Sequence, residues 1–173
     1  VTGARHFAVE RERRQRRALR ELVKPCILVD SREQAPLRFS PAVDVEVVTL
    51  TTGDYSLRGF TEHVAIERKS AADFVACCGP ERERFIEQCQ RLARYPVKAL
   101  VIESTWELLA AGAYVSRMHP RSVTGTLLAL MVDYGLPVLL ATDSGGAAES
   151  VERILCRVAR NGVAVHTTEE EHP

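Results

Sequence analysis

Asp30, Asp54 and Glu67 are three carboxylates that fall at the ends of strand-like runs or in turns, and Lys69 follows the last of them by two residues. In an extended strand, residues i and i+2 share a face about 7 Å apart. Glu67 and Lys69 therefore project together, with Ala65, away from Val64 and Ile66. Acids gathered around one cation repel each other unless solvent or a divalent metal offsets their charge. Hard oxygen ligands of this type suit Mg²⁺ or Mn²⁺ rather than zinc. A metal held there would polarise a phosphodiester and supply a hydroxide nucleophile, with Lys69 orienting water or stabilising developing charge. The same residues also fit a plainer pattern of solvated strand-end acids beside a weak surface ion pair. Arg84, Gln88 and Arg91 stand at i, i+4 and i+7, a polar stripe opposite Phe85, Cys89 and Leu92. That stripe is either a solvated helix face or a phosphate contact, for which Arg is well suited.

The elements that must position these groups are legible from pattern. Cys26 to Val29, ending in Asp30, reads as a buried strand. Val43 to Leu50 reads as a second, with Val43, Val45 and Val47 alternating against Asp44 and Glu46. Gly53-Asp54 marks a turn or bulge before a short strand through Tyr55 and Leu57, and His63 to Lys69 forms the next strand. Ser70 and Asp73 make a capping-box pattern for a short helix ending near Gly79. Gly79-Pro80 opens a longer helix carrying Phe85, Cys89 and Leu92. Val97 to Ile102 is a buried strand, and Ser104 with Glu107 caps a helix around Trp106 and Leu109. A helix from Pro120 has the buried stripe Val123, Leu127, Leu130, Met131 and Tyr134. A strand over Leu136 to Ala141 and a last amphipathic helix on Val151, Ile154, Leu155 and Val158, stopped by Asn161-Gly162, complete the order. The expectation is an α/β fold, its sheet antiparallel in the first half and flanked by helices on both sides.

At 173 residues the chain is one domain's worth. No apolar run reaches the length of a bilayer span, and the expectation is an intracellular protein, cytoplasmic in a bacterium and nuclear in a eukaryote. Five cysteines without a CxxC pair argue against a structural zinc site or a disulfide framework. The 23 basic and 23 acidic residues cancel, but unevenly along the chain. Arginines crowd residues 1–24, an arm or polar helix, while Glu169, Glu170 and Glu171 form an acidic tail over 166–173. Residues 25–165 are left as the folded domain.

Gly53-Asp54, twelve residues, Glu67-Arg68-Lys69, three residues and Asp73 together resemble the GD-x-ERK-x-D signature of XPF-type structure-specific endonucleases. Val29-Asp30-Ser31-Arg32-Glu33 resembles that family's preceding segment, and Arg84-Phe85, Gln88 and Arg91-Leu92 its following helix. The resemblance runs from about Cys26 to near Gly162, and implies a restriction-endonuclease-like PD-(D/E)xK core with a mixed central sheet. It implies that Asp54, Glu67 and the Arg68 backbone carbonyl ligate Mg²⁺ or Mn²⁺, that Lys69 is catalytic, and that Asp30 lies beside the metal. Arg32 and Glu33 become supporting residues paired with each other, and Gln88 and Arg91, with Arg84, contact phosphate or the site. Asp73 is left equally as cap or site residue.

The implied partner is DNA, branched or flapped, cut during repair or recombination, and the implied assembly is a homodimer or heterodimer through the apolar second half. Family members commonly add a tandem helix-hairpin-helix module, and some a helicase; 173 residues have room for neither. Two other functions remain open at this point: a less selective restriction-type nuclease, and a non-catalytic DNA-binding scaffold subunit, which would not require Asp54, Glu67 and Lys69.

Overall fold

The computed structural model describes residues 24–162; the Arg-rich arm and the acidic tail fall outside them. Six strands form one sheet in the order β2-β1-β3-β4-β5-β6: β1 Cys26–Asp30, β2 Asp44–Val48, β3 Tyr55–Leu57, β4 Val64–Ser70, β5 Val97–Glu103 and β6 Val138–Ala141. β3 runs antiparallel to β1 and β4, whereas β4, β5 and β6 are mutually parallel. The parallel half needs long crossovers. They are supplied by α1 Ala71–Cys77 and α2 Arg82–Ala93 between β4 and β5, then by α3 Trp106–Ala111 and α4 Pro120–Asp133 before β6. The last helix, α5 Ser144–Asn161, ends at Gly162, whose amide closes on the Val158 carbonyl.

The alternation along β4 divides the core in two. Val64 and Ile66 join Ile27, Val29, Tyr55 and Val101 under α5, whose Val151, Leu155 and Val158 cover them. Ala65 faces the other way, with Leu100 and Ile102, onto Phe74 of α1, Phe85 and Leu92 of α2, and Val123 and Leu127 of α4. Burial of these side chains, at roughly 25 cal/mol per Å² of apolar surface, is what holds the layers. Glu67 and Lys69 continue the Ala65 face to the end of β4, where they meet α2.

Four expectations are corrected. β2 pairs in parallel with β1, so the first half of the sheet is mixed and not wholly antiparallel. In that register Val45 and Val47 sit beside Ile27 and Val29 on the α5 side, but α5 lies over β3, β5 and β6. The two valines are left 52% and 67% exposed at the sheet edge, and of the three only Val43 is buried. Thr105, not Ser104, caps α3 by accepting from the Leu108 amide, because Ser104 is buried beneath the turn. On α4, Met131 stands ~80° round the helix from Val123 and is exposed; Thr126 takes the inner position instead.

Candidate active site

Every site residue expected from sequence lines one open cleft of about 540 Å³ at the ends of β1 and β4, walled by α2. Five acids (Asp30, Glu33, Asp54, Glu67, Asp73) and five bases (Arg32, Arg68, Lys69, Arg84, Arg91) share it. The balance is not uniform in depth: Glu67 is buried, whereas Arg32, Arg84 and Arg91 are exposed. Lys69 and Arg68 are mostly buried with the deep acids, and the three exposed arginines stand around them.

Asp54 is aimed by backbone geometry. Gly53 takes φ +77°, and a Cβ there would stand 2.8 Å from the Ile66 carbonyl oxygen. Only glycine accepts both the left-handed conformation and that approach. The close approach lets the Asp54 amide donate to the Ile66 carbonyl at 2.8 Å, and the Arg68 amide donates back to Asp54 Oδ2 at 2.8 Å. Residues 66 and 68 share the same hydrogen-bonding edge of β4, so the Arg68 carbonyl faces the Asp54 side.

Glu67 is 1% exposed and Lys69 Nζ donates to its Oε1 at 2.5 Å. Glu67 Oε2 is buried with no partner among the described residues. Burial works against the Lys69 ammonium, yet Glu67 and Asp54 together hold its pKa above the ordinary lysine value. Asp54 is pushed up to about 7, first by burial and then by the charge of Glu67; the Arg68 amide and Lys69 oppose that rise. Behind the pair, burial raises the Cys77 and Cys89 thiols to about 11 and 12, and all five cysteines are free.

These observations test whether a divalent metal fits. Two carboxylates share low-dielectric space with one ammonium, and one carboxylate oxygen has no donor. Among the described residues no group of three or more His, Cys, Asp or Glu side chains could hold an ion. Asp54, Glu67 and a backbone carbonyl form a sparse oxygen set, which is what Mg²⁺ accepts, since it retains several waters and takes one or two carboxylates. The residues fit.

Asp30 is built differently. Its Oδ1 accepts from Arg32 Nε at 2.7 Å and from the Arg32 amide at 2.8 Å; its Oδ2 accepts from Arg32 at 2.9 Å and from the Leu50 amide at 2.7 Å. The Arg32 side chain, with help from the two amides, lowers its pKa to about 2 despite burial. A carboxylate holding four donors has little capacity left for a metal. Asp30 instead clamps residues 50–54, and its own amide donates to the Asp54 carbonyl at 2.8 Å. Arg32 also donates to the Leu50 carbonyl, so the expected Arg32–Glu33 pair is replaced by Arg32–Asp30. Glu33 faces Arg68 at 3.8 Å.

Asp73 is a cap in this structure: Ser70 Oγ accepts from its amide at 3.1 Å and donates to its Oδ2 at 2.7 Å. It lines the cleft as well, so the cap does not remove it from the site. Arg84, Gln88 and Arg91 stand together on the cleft side of α2, opposite the buried Phe85, Cys89 and Leu92, as their spacing requires. Sequence reasoning missed Glu103, which binds the Arg68 guanidinium, and the cleft residues Thr51 and Thr52. An acid directly after the apolar run Ala99 to Ile102 is the available signal for Glu103.

Comparison with known proteins decides the family. Residues 11–154 match the ERCC4 domain. The chain belongs to the ERCC4 nuclease-domain family. It is 30% identical to the DNA repair endonuclease XPF of Cricetulus griseus over 141 residues, 76% of this chain and 15% of that protein. It is also 30% identical, over 130 residues and 74% of its length, to a Methanocaldococcus jannaschii protein named "Putative ATP-dependent RNA helicase MJ1505", again 15% of that protein. Among solved structures, XPF from Aeropyrum pernix in complex with DNA superposes with a TM-score of 0.61 at 29% identity, covering 78% of this chain and 64% of that one. A second solved structure of XPF from Aeropyrum pernix gives 0.62 at 27% identity, covering 79% and 66%. This ERCC4 domain thus spans about a seventh of its curated relatives, and its mixed sheet flanked by helices is the XPF nuclease fold. No helix among its described residues is long and apolar enough to cross a membrane.

The charge pattern of the ERCC4 domain has a pH signature. Asp54, raised to about 7, keeps its proton in the folded state while the unfolded chain sheds it near 3.8. Between those values the unfolded state binds fewer protons, so metal-free stability falls as pH rises through the window. Asp30 acts oppositely and lower, its contribution lost as pH falls from 3.8 towards about 2. Differential scanning calorimetry without metal is expected to show melting temperature declining from pH 4.5 to 7.5. Mg²⁺ or Mn²⁺ should restore it, by about 2.7 kcal/mol at a hundredfold excess over Kd, and more at pH 7.5 than at 5. A metal effect that is flat with pH would count against the Asp54–Glu67 pair as its site.

Proposed function

We propose that this ERCC4 domain is a metal-dependent endonuclease that hydrolyses phosphodiester bonds in branched or flapped DNA. The observation that carries the reading is the buried Glu67 oxygen, without a donor among the described residues, beside Asp54 and Lys69 in a cleft with arginines at its surface. Asp54, Glu67 and the Arg68 carbonyl would hold Mg²⁺ or Mn²⁺. When bound, the ion supplies Lewis-acid activation of the phosphodiester and of water. Lys69 is held charged next to Glu67 and is placed to stabilise negative charge that develops on phosphate oxygens. Arg84 and Arg91 reach the backbone on either side, and Gln88 offers a neutral hydrogen bond between them. Asp30 and Arg32 keep the Asp54 turn in place.

The support for DNA as substrate is the DNA-bound XPF relative together with this charge arrangement. Contacts of this kind are to phosphates and position the protein without reading bases. Branch points open the duplex at low deformation cost, so discrimination is for shape. Exposed Trp106 and Leu108 on α3, and Leu128, Met131 and Val132 on α4, support pairing with a second nuclease domain through the α3–α4 side.

The test is a Mg²⁺-dependent cleavage panel across duplex, single-stranded, splayed, 3′-flap and four-way substrates, with several unrelated sequences in the same fork. Cuts are expected at the junction whatever the sequence. Cuts that track a base motif would establish the restriction-type alternative, and binding without cleavage on every substrate would establish the scaffold. Sedimentation velocity on the same preparation checks the pairing, for which a purely monomeric profile is the adverse result.

A further inference from the structure

Arg68 presents its side chain to the opposite face of β4 from Glu67 and Lys69, where the reading above assigns it no task. Its Nε and a terminal nitrogen both donate to Glu103 Oε1, at 2.8 and 2.6 Å. The third nitrogen lies 3.5 Å from the Ala35 carbonyl and 3.8 Å from Glu33. The side chains of Arg68 and Glu103 are each only 13% exposed, so water competes little for this contact. Charge-assisted hydrogen bonds in such surroundings are the strong kind. Glu103 closes β5 in register with Ser70, two residues beyond the register partner of Arg68, so the two side chains stand on one face.

We propose that Glu103 is a positioning residue for the metal-binding edge of β4, acting through Arg68 on the Asp54 carboxylate. The inference rests on the metal-dependent reading of the site. Arg68 is held at two points: its guanidinium by Glu103, and its amide by Asp54 Oδ2 at 2.8 Å. The same residue carries the carbonyl that faces the Asp54 side. With Glu103 removed, Glu33 becomes the carboxylate nearest Arg68 among the described residues and draws the guanidinium towards residues 33–35. The strand end then turns about the Arg68 backbone and moves the amide that orients Asp54. Glu103 itself is not among the cleft-lining residues and touches Arg68 only at its guanidinium, away from the carbonyl of the ligand set. A merely structural Glu103 would tie residues 33–35 to the sheet, and its loss would lower the melting temperature alone. A positioning Glu103 changes metal affinity at a site it does not contact.

The experiment measures Mn²⁺ binding by electron paramagnetic resonance on the whole chain without DNA, beside the melting temperature, for wild type, Glu103→Gln and Glu103→Ala. Partners that orient metal ligands from outside typically alter affinity by about 10- to 100-fold, and Glu103→Ala is expected to weaken Mn²⁺ within that range. Glu103→Gln keeps an acceptor for Arg68 and should lose severalfold less. Wild-type Mn²⁺ affinity in Glu103→Ala overturns the proposal, however far its melting temperature falls. If Glu103→Ala does not fold, Glu103→Gln decides alone, and unchanged affinity again overturns it. A wild-type protein that binds no Mn²⁺ overturns both this proposal and the metal reading, which separates that failure from one confined to Glu103.

Discussion

Glu67→Gln and Asp54→Asn are expected to lower Mg²⁺-dependent cleavage on the order of a thousandfold while leaving the fold intact. Activity falls because each change removes one of the two carboxylates that would hold the ion. The fold survives because glutamine keeps the size of Glu67 and an acceptor for Lys69, and because the Asp54 carboxylate is not at ease in the metal-free protein. Asp54 is already raised to about 7 by its burial and by Glu67, so replacing it with a neutral amide removes a repulsion. Asparagine also keeps an acceptor for the Arg68 amide, the bond that orients this turn. Melting temperature at pH 7.5 without metal should therefore hold or rise in Asp54→Asn and fall in Glu67→Gln, where Lys69 loses its charged partner; in both, the increase caused by Mg²⁺ should vanish. Cleavage rate and two melting curves per variant check the whole expectation. Wild-type cleavage by Glu67→Gln would sink the assignment. Lost activity with a lowered melting temperature in Asp54→Asn would make that carboxylate structural.

Lys69→Ala should separate catalysis from binding. Lys69 is the only cation in contact with Glu67 among the described residues, and it is mostly buried there. If it acts on charge that develops during the reaction, its loss lowers turnover at saturating DNA by at least about a hundredfold. DNA affinity, measured without divalent metal, should change little, since the exposed Arg84 and Arg91 remain. Stability should move as well. Leaving one member of a buried ion pair uncompensated costs about 3–5 kcal/mol, and Mg²⁺ should recover part of that. Single-turnover kinetics, fluorescence anisotropy and calorimetry on one preparation read all three quantities. Equal losses of affinity and catalytic efficiency, with turnover unchanged, would reduce Lys69 to a phosphate contact.

What the sequence by itself determined is whatever depends on local periodicity. Glu67 and Lys69 share a face because strand side chains repeat every two residues, and Val64 and Ile66 lie opposite for the same reason. Arg84, Gln88 and Arg91 form a stripe because helix positions repeat every 3.6. Ser70 and Asp73 cap α1 within a single turn. The signature motifs add order along the chain, which was enough for the family and for the charged residues of the cleft. Tertiary structure decided the rest, because those contacts join residues that no local rule brings together. The partners of Asp30 include the Leu50 amide, twenty residues away, so only the folded sheet shows that this cleft carboxylate is also a clamp. Glu103 reaches Arg68 across thirty-five residues because β4 and β5 pair in one register out of several possible. The exposure of Val45 and Val47 follows from where α5 lies, and alternation in β2 carries no information about that. Periodicity states which side chains share a face, but the facing element, its register and its charge are set by long-range packing, and these decide which carboxylate is left without a donor.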